Sequence, residues 1–100
     1  MEIPAWLRVL ERDTPKVLKR YQALETEVMK DGALNRKIKE IILLAVSSAI
    51  RDQEGVQFHM AQALKHGANK REIIEAVEVT LLSSGIPGII MGLTASEEAK

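Results

Sequence analysis

The chain has 100 residues, enough for a single domain over residues 1–100, and its 46% hydrophobic content is too high for a disordered protein. Fourteen Lys plus Arg balance fourteen Asp plus Glu, and only three residues are aromatic, so binding to nucleic acid or to a membrane is not expected. Cysteine is absent, which excludes disulfides and thiol redox chemistry, and no apolar run approaches the roughly 20 residues of a membrane span, so a cytoplasmic protein is expected.

Apolar residues recur at helical spacing along the chain, which predicts an all-α fold of about six helices. The first is a short helix over residues 4–11, opened by Pro4. Thr14 before Pro15 is typical of the start of a second helix, which we expect to end at residues 31–32. Its predicted apolar stripe consists of Val17, Leu18, Tyr21, Leu24 and Val28.

The third helix, which Asn35 can cap, is apolar on two sides. One side carries Ile38, Ile41, Ile42, Ala45 and Ala49, and the other carries Leu43, Leu44, Val46 and Ile50. A helix of this kind needs cover on both sides, which a chain of 100 residues does not easily supply. We therefore expect a homo-oligomer.

Three further helices follow a polar break at residues 51–54. The fourth helix ends near Gly67, and Asn69 with Glu72 forms a predicted capping box that opens the fifth. Residues 83–87 end the fifth helix. A last segment begins at about Gly88, which with Gly92 gives a small-residue face suited to close approach by another helix.

Two polar residues lie where the apolar pattern predicts burial. His59 falls on the apolar stripe of the fourth helix, where it is either a catalytic residue or a hydrogen-bonded core histidine. Glu40 shares a face with apolar residues of the third helix. The alternative for Glu40 is a solvated carboxylate paired with Arg36 or Lys37.

Other polar residues have simpler structural interpretations. Asp52 and Glu54 suit the N-cap and the first turn of the fourth helix, and His66 suits its C-terminal end. A metal site from Glu40, Asp52, Glu54 and His59 lacks a recognised ligand spacing. We therefore predict neither a metal nor a cofactor.

Residues 34–92 resemble the carboxymuconolactone decarboxylase family, which includes the AhpD-like alkylhydroperoxidases. The segment NRKIKEIILLAV (35–46) is similar to the family's first conserved helix. The segment HMAQALKHGA (59–68) fits its H-x-x-x-A-x-x-x-G pattern, and SGIP (84–87) fits its later turn. The resemblance implies an AhpD-like all-α fold and assembly into trimers or hexamers.

The peroxidases of that family carry E-x11-C-x2-C-x3-H, in which glutamate and histidine form a proton relay for a cysteine pair. The match assigns Glu40 and His59 to the relay and Asp52 and Gly55 to the cysteine positions. The resemblance therefore implies a relay without thiols, which disfavours thiol peroxidase activity.

Three functions follow as hypotheses. The first is acid–base chemistry of a lyase on a small carboxylate or lactone, with His59 as proton donor, Glu40 as its orienting partner and Arg51 as carboxylate anchor. The second is a non-enzymatic oligomeric binding protein. The third is an antioxidant, peroxiredoxin-related role that uses the thiols of a partner.

The spacing of the two relay residues along the chain also limits how their side chains can come into contact. In an ideal hairpin that turns near Asp52, Glu40 lies about 18 Å along one helix and His59 about 10 Å along the other. Their contact therefore requires a bent connection or a neighbouring subunit.

Overall fold

The computed structural model describes residues 3–99, which form six α-helices, one 3₁₀ turn and no strand, so the all-α prediction is confirmed. The helices are α1 (Ala5–Asp13), α2 (Pro15–Met29), α3 (Arg36–Ala49), α4 (Gln53–Lys65), α5 (Lys70–Val79) and α6 (Ile86–Glu98), with the 3₁₀ turn at Thr80–Leu82. Across residues 3–99, no helix combines the length and the hydropathy needed to cross a membrane.

The chain divides into two compact units, one up to Lys30 and one from Asp31 onwards. In the first unit α1 packs against α2. Thr14 occupies the N-cap position of α2, but its side chain makes no capping hydrogen bond. Helix α2 ends at Met29, slightly before the predicted end.

The predicted apolar stripe of α2 is not a buried stripe. Leu18 is buried, whereas the other four members are more than half exposed: Val17, Tyr21, Leu24 and Val28. Periodicity correctly located the helix but not the side that the chain covers.

The second unit contains α3 to α6 around one apolar cluster. Its buried members are Leu44, Val56, Met60, Ala63, Ala68 and Ile73. The predicted caps are present: Asn35 accepts a hydrogen bond from Ile38 N at 2.9 Å, and Asn69 and Glu72 form the capping box. Gly67 has φ of +102°, as expected for a residue that ends a helix in the left-handed region.

The buried face of α3 is the one that carries Glu40, and it is more polar than the two predicted apolar sides. It consists of Glu40, Leu44, Ser47 and Ser48, whereas a stripe of aliphatic residues is exposed: Ile38, Ile42, Val46 and Ile50. Small serines face the interior because neighbouring helices approach closely there. A Cβ on Gly55 of α4 would lie 2.8 Å from Ser47 Oγ, and one on Gly92 of α6 would lie 2.7 Å from Ser48 Oγ.

Helix α6 starts at Ile86, two residues before the predicted start, because Pro87 belongs to its first turn and does not end the preceding helix. The expected small-residue face is present, and both Gly88 and Gly92 are buried. It is occupied inside the chain by α3 and α5, since a Cβ on Gly92 would clash with Val77 and Ser48. The close approach that the two glycines predict is therefore made by helices of the same chain.

Candidate active site

The connection between α3 and α4 is a tight turn that aligns the two helices. Arg51 has φ of +61°, and its N–H donates to Ser48 O at 3.1 Å. The N–H of Asp52 donates to Ser47 O at 2.9 Å. This pair of bonds is the Schellman arrangement, which usually places glycine where this chain has Arg51.

This turn brings Glu40 and His59 together within one chain. His59 Nδ1 lies 2.9 Å from Glu40 Oε1. Helix α3 continues nine residues beyond Glu40, and α4 begins six residues before His59, so the offset along the helix axes is only about 4–5 Å. The two long side chains span that offset, and no neighbouring subunit is needed for the contact.

Glu40 is a buried carboxylate with two donors. Only 1% of its side chain is exposed, and Arg36 Nε donates to Oε2 at 2.7 Å. The pairing with Arg36 was one of the sequence alternatives, but the expected solvation of that pair is wrong for Glu40. Lys37, the other predicted partner, lies 3.0 Å from Glu72 of α5.

His59 is partly open to solvent, with 19% of its side chain exposed. Its ring makes an edge-on contact with the ring of Phe58, at 5.1 Å between centroids and an interplanar angle of 79°. The ring hydrogen bond of His59 is made by Nδ1, with Glu40. Within residues 3–99, Nε2 makes no hydrogen bond. The sequence did not identify Phe58, whose ring is half exposed, as part of the site. Its position next to His59 in the chain was the only indication.

The residues at the two cysteine positions are structural. Asp52 is the N-cap of α4, as predicted, and Oδ1 accepts from Gly55 N at 3.0 Å. Asp52 Oδ2 occupies the space that a side chain on residue 55 would need. Glu54 lies in the first turn of α4, also as predicted.

Two other predicted positions lie away from the pair. Arg51 is exposed at the turn, eight residues before His59 in the chain. His66 Nδ1 donates to Gln62 O at 2.8 Å near the end of α4, in agreement with a structural role. Within residues 3–99, no three His, Asp or Glu side chains are grouped to hold a metal ion.

The grooves between α4 and α6 do not include the pair. They are lined by residues such as Gln57, Met60 and Ala95, and by neither Glu40 nor His59.

The arrangement is suited to proton transfer. A carboxylate oxygen only accepts hydrogen bonds, so Nδ1 of His59 carries the hydrogen that it shares with Glu40. Nε2 is then the nitrogen that can exchange a proton with a ligand at the exposed side.

Comparisons with known proteins show which proteins this chain is similar to in sequence and fold. A Legionella pneumophila protein of the carboxymuconolactone decarboxylase family has a TM-score of 0.86 and 26% identity, over 92% of this chain and 82% of that one. A Thermotoga maritima member proposed to be involved in an antioxidative response has a TM-score of 0.74 and 28% identity, over 93% and 81% of the two chains. An uncharacterized Cupriavidus necator protein is 28% identical over 87 residues, which are 87% of this chain and 77% of that protein.

The family match itself is wider than the segment on which the resemblance was based. That segment was residues 34–92, whereas the family pattern matches residues 15–98, from the start of α2 to the end of α6. This chain belongs to the carboxymuconolactone decarboxylase family.

Proposed function

We propose that this chain is a thiol-free, cytoplasmic acid–base enzyme of its family that acts on a small carboxylate or lactone. The observation that carries the proposal is the 2.9 Å contact between a buried Glu40 and a partly exposed His59. A buried carboxylate bonded to a histidine that keeps one nitrogen accessible is an arrangement suited to general acid–base catalysis.

Decarboxylation of an unsaturated lactone acid fits these groups. Loss of CO₂ leaves the bonding electrons on the substrate as an extended enolate, which then takes a proton at carbon. Protonated His59 donates that proton from Nε2, and Glu40 stabilises the imidazolium through Nδ1. The half-exposed ring of Phe58 offers an apolar surface beside the reacting group.

Arg51 is the proposed anchor for a substrate carboxylate, because a guanidinium binds a carboxylate with two hydrogen bonds. It is exposed at the turn that begins α4. The separation of about two helical turns from His59 favours a substrate whose carboxylate lies away from the protonated carbon.

The test is CO₂ release from a panel of lactone and keto-acid carboxylates. We predict that His59→Gln and Glu40→Gln abolish turnover while the helical circular dichroism signal stays close to that of the wild type. His66→Gln is the matched control, because His66 bonds to its own helix and should keep full activity.

Three results would contradict the proposal. The first is the absence of turnover across the whole panel, and the second is a His59→Gln protein that keeps its activity. The third is a His59→Gln protein that loses several kcal/mol of stability, as removal of a core hydrogen-bonding histidine does. Absence of turnover would leave two functions: a non-enzymatic binding protein, and an antioxidant role that uses the thiols of a partner.

A second candidate is favoured by the Thermotoga maritima relative proposed to be involved in an antioxidative response. With no cysteine, this chain cannot reduce hydroperoxides through its own thiols. Hydroperoxide consumption that requires both this protein and a dithiol protein, and that His59→Gln removes, would replace the decarboxylase proposal with this one.

A further inference from the structure

The two oxygens of Glu40 have different donors on opposite sides. Arg36 Nε donates to Oε2 at 2.7 Å, and His59 Nδ1 lies 2.9 Å from Oε1. With 1% of the side chain exposed, water does not replace either partner. A carboxylate buried this deeply requires donors on its oxygens and a nearby positive charge, and Arg36 supplies both.

Arg36 also limits how the carboxylate can turn. It is the first residue of α3 and lies one helical turn before Glu40, so its guanidinium reaches Glu40 along the same helix surface. An arginine only donates, so Oε2 must accept and Oε1 stays turned towards His59. Without this contact the carboxyl group could rotate about its last torsion, which has broad minima.

The orientation of Glu40 in turn fixes His59. Because Oε1 accepts from Nδ1, the neutral ring has its hydrogen on Nδ1 and leaves Nε2 unprotonated and directed away from the carboxylate. We infer that Arg36 is a positioning residue of the site, which acts through Glu40 to select the Nδ1–H tautomer of His59. The role of Nε2 towards a substrate rests on the proposed function, but the selection of the tautomer does not.

The chain contains a matched pair in which the same residues have no such role. Arg71 and Glu75 of α5 also stand four residues apart, but their side chains are 72% and 62% exposed and 3.6 Å apart. Arg71→Ala therefore removes an arginine from an equivalent helical spacing without a buried carboxylate behind it.

The test reads the two imidazole nitrogens directly. Long-range ¹H–¹⁵N correlation spectra of the full ¹⁵N-labelled chain, recorded at alkaline pH, distinguish the Nδ1–H and Nε2–H tautomers of a neutral imidazole. The chain has only two histidines. His66 is an internal reference, because its Nδ1 donates to a backbone carbonyl oxygen, which cannot donate in return.

The wild type and Arg71→Ala should both show the Nδ1–H pattern for His59. In Arg36→Ala the His59 signals should move to the mixed positions of an unconstrained imidazole, while the His66 signals stay unchanged. Arg36→Lys keeps a charged donor and should restore most of the Nδ1–H population. Once a substrate is known, Arg36→Ala should lower turnover by up to about 100-fold, because a small misplacement of a catalytic group costs that much.

An unchanged His59 pattern in a folded Arg36→Ala protein would overturn the inference. If that variant does not fold, Arg36→Gln keeps one donor without the charge and is expected to show a mixed pattern, and a wild-type pattern there would overturn the inference equally. Because the readout is not turnover, a wild-type protein without activity would contradict the proposed function and leave the assignment of Arg36 in place.

Discussion

Asp52 and Gly55 fit each other sterically, and this fit explains both residues without reference to catalysis. The carboxylate of Asp52 caps α4 by accepting from Gly55 N at 3.0 Å. To do so it lies over the Cα of Gly55, where a Cβ would clash with Asp52 Oδ2 and lie 2.8 Å from Ser47 Oγ. With the Asp52 carboxylate in this position, residue 55 has no room for a side chain.

This fit predicts that the cost of Gly55→Ala to stability depends on residue 52. In an unobstructed helix the substitution stabilises by about 1 kcal/mol, but here the clash should give a net loss of about 1 kcal/mol or more. In an Asp52→Ala background, which itself costs about 0.5–2 kcal/mol through the lost cap, Gly55→Ala should cost clearly less, because only the contact with Ser47 Oγ remains. Urea unfolding of the four proteins measures the coupling.

Gly32→Ala is the control for this cycle, because a Cβ there would have no atom within 4 Å. Its effect should stay within about 0.5 kcal/mol. An equal cost of Gly55→Ala in both backgrounds would show that Asp52 is not the obstructing group.

The capping box of α5 also links that helix to α3. Glu72 Oε1 accepts from Asn69 N at 2.9 Å, while Oε2 lies 3.0 Å from Lys37 Nζ. The hydrogen bond from the Asn69 backbone and then the contact with Lys37 lower the pKa of the Glu72 carboxyl below its usual 4.5. One side chain therefore starts α5 and holds it against α3.

This lowered pKa predicts a specific loss of stability in acid. A carboxyl whose pKa is lower in the folded state stabilises the fold above its unfolded pKa, and the contribution disappears as the pH falls through the folded value. The wild type should therefore be more stable than Glu72→Gln at neutral pH, and the difference should shrink below about pH 4.5. Thermal melts of both proteins across this range measure it.

Lys37→Met separates the two causes, because it removes the ion pair and leaves the capping box in place. Its acid dependence should lie between those of the wild type and Glu72→Gln. Parallel stability profiles of the wild type and Glu72→Gln would contradict the assigned cause.

Local sequence patterns predicted the helices and their caps, but not which sides the chain buries. The caps at Asn35, Asp52 and Asn69 depend on residues three positions apart, so the local sequence contains the information. The burial of α3 depends on neighbours far along the chain. Ser48, for example, is fully buried with no hydrogen-bond partner for Oγ within residues 3–99, and it lies where Gly92 allows α6 to approach.

The candidate site was predictable in part for the same reason. The resemblance identified Glu40 and His59, and the i−4 spacing offered Arg36 as a partner. The ideal hairpin failed to predict their contact because the Schellman turn at Arg51 shortens the path between the helices. The residue with the left-handed backbone conformation is Arg51. An arginine in a sequence does not predict such a turn, whereas a glycine does.

At the scale of the whole molecule, the outer face of α3 is an exposed aliphatic stripe. Its members are 39% to 66% exposed: Ile38, Ile42, Val46 and Ile50. They stand four residues apart and form one continuous ridge along the helix. Full burial of each such side chain stabilises a protein by about 1.5–3 kcal/mol. Covering this ridge would therefore add a substantial amount compared with the total stability of a small domain.

We therefore predict that the protein is a homo-oligomer in which a second copy covers this ridge. The family resemblance suggests a trimer or a hexamer, and a neighbouring subunit could then also enclose the exposed side of His59. Sedimentation at micromolar concentration should give a multiple of 11.1 kDa.

The double variant Ile42→Lys with Val46→Glu, which keeps the net charge unchanged, should dissociate the assembly and lower both stability and any activity. The charge swap Arg71→Glu with Glu75→Lys on α5 is the matched control and should leave the assembly intact, because that pair is polar and exposed. A stable, well-folded wild-type monomer would contradict the prediction and would mean that this ridge is simply tolerated in water.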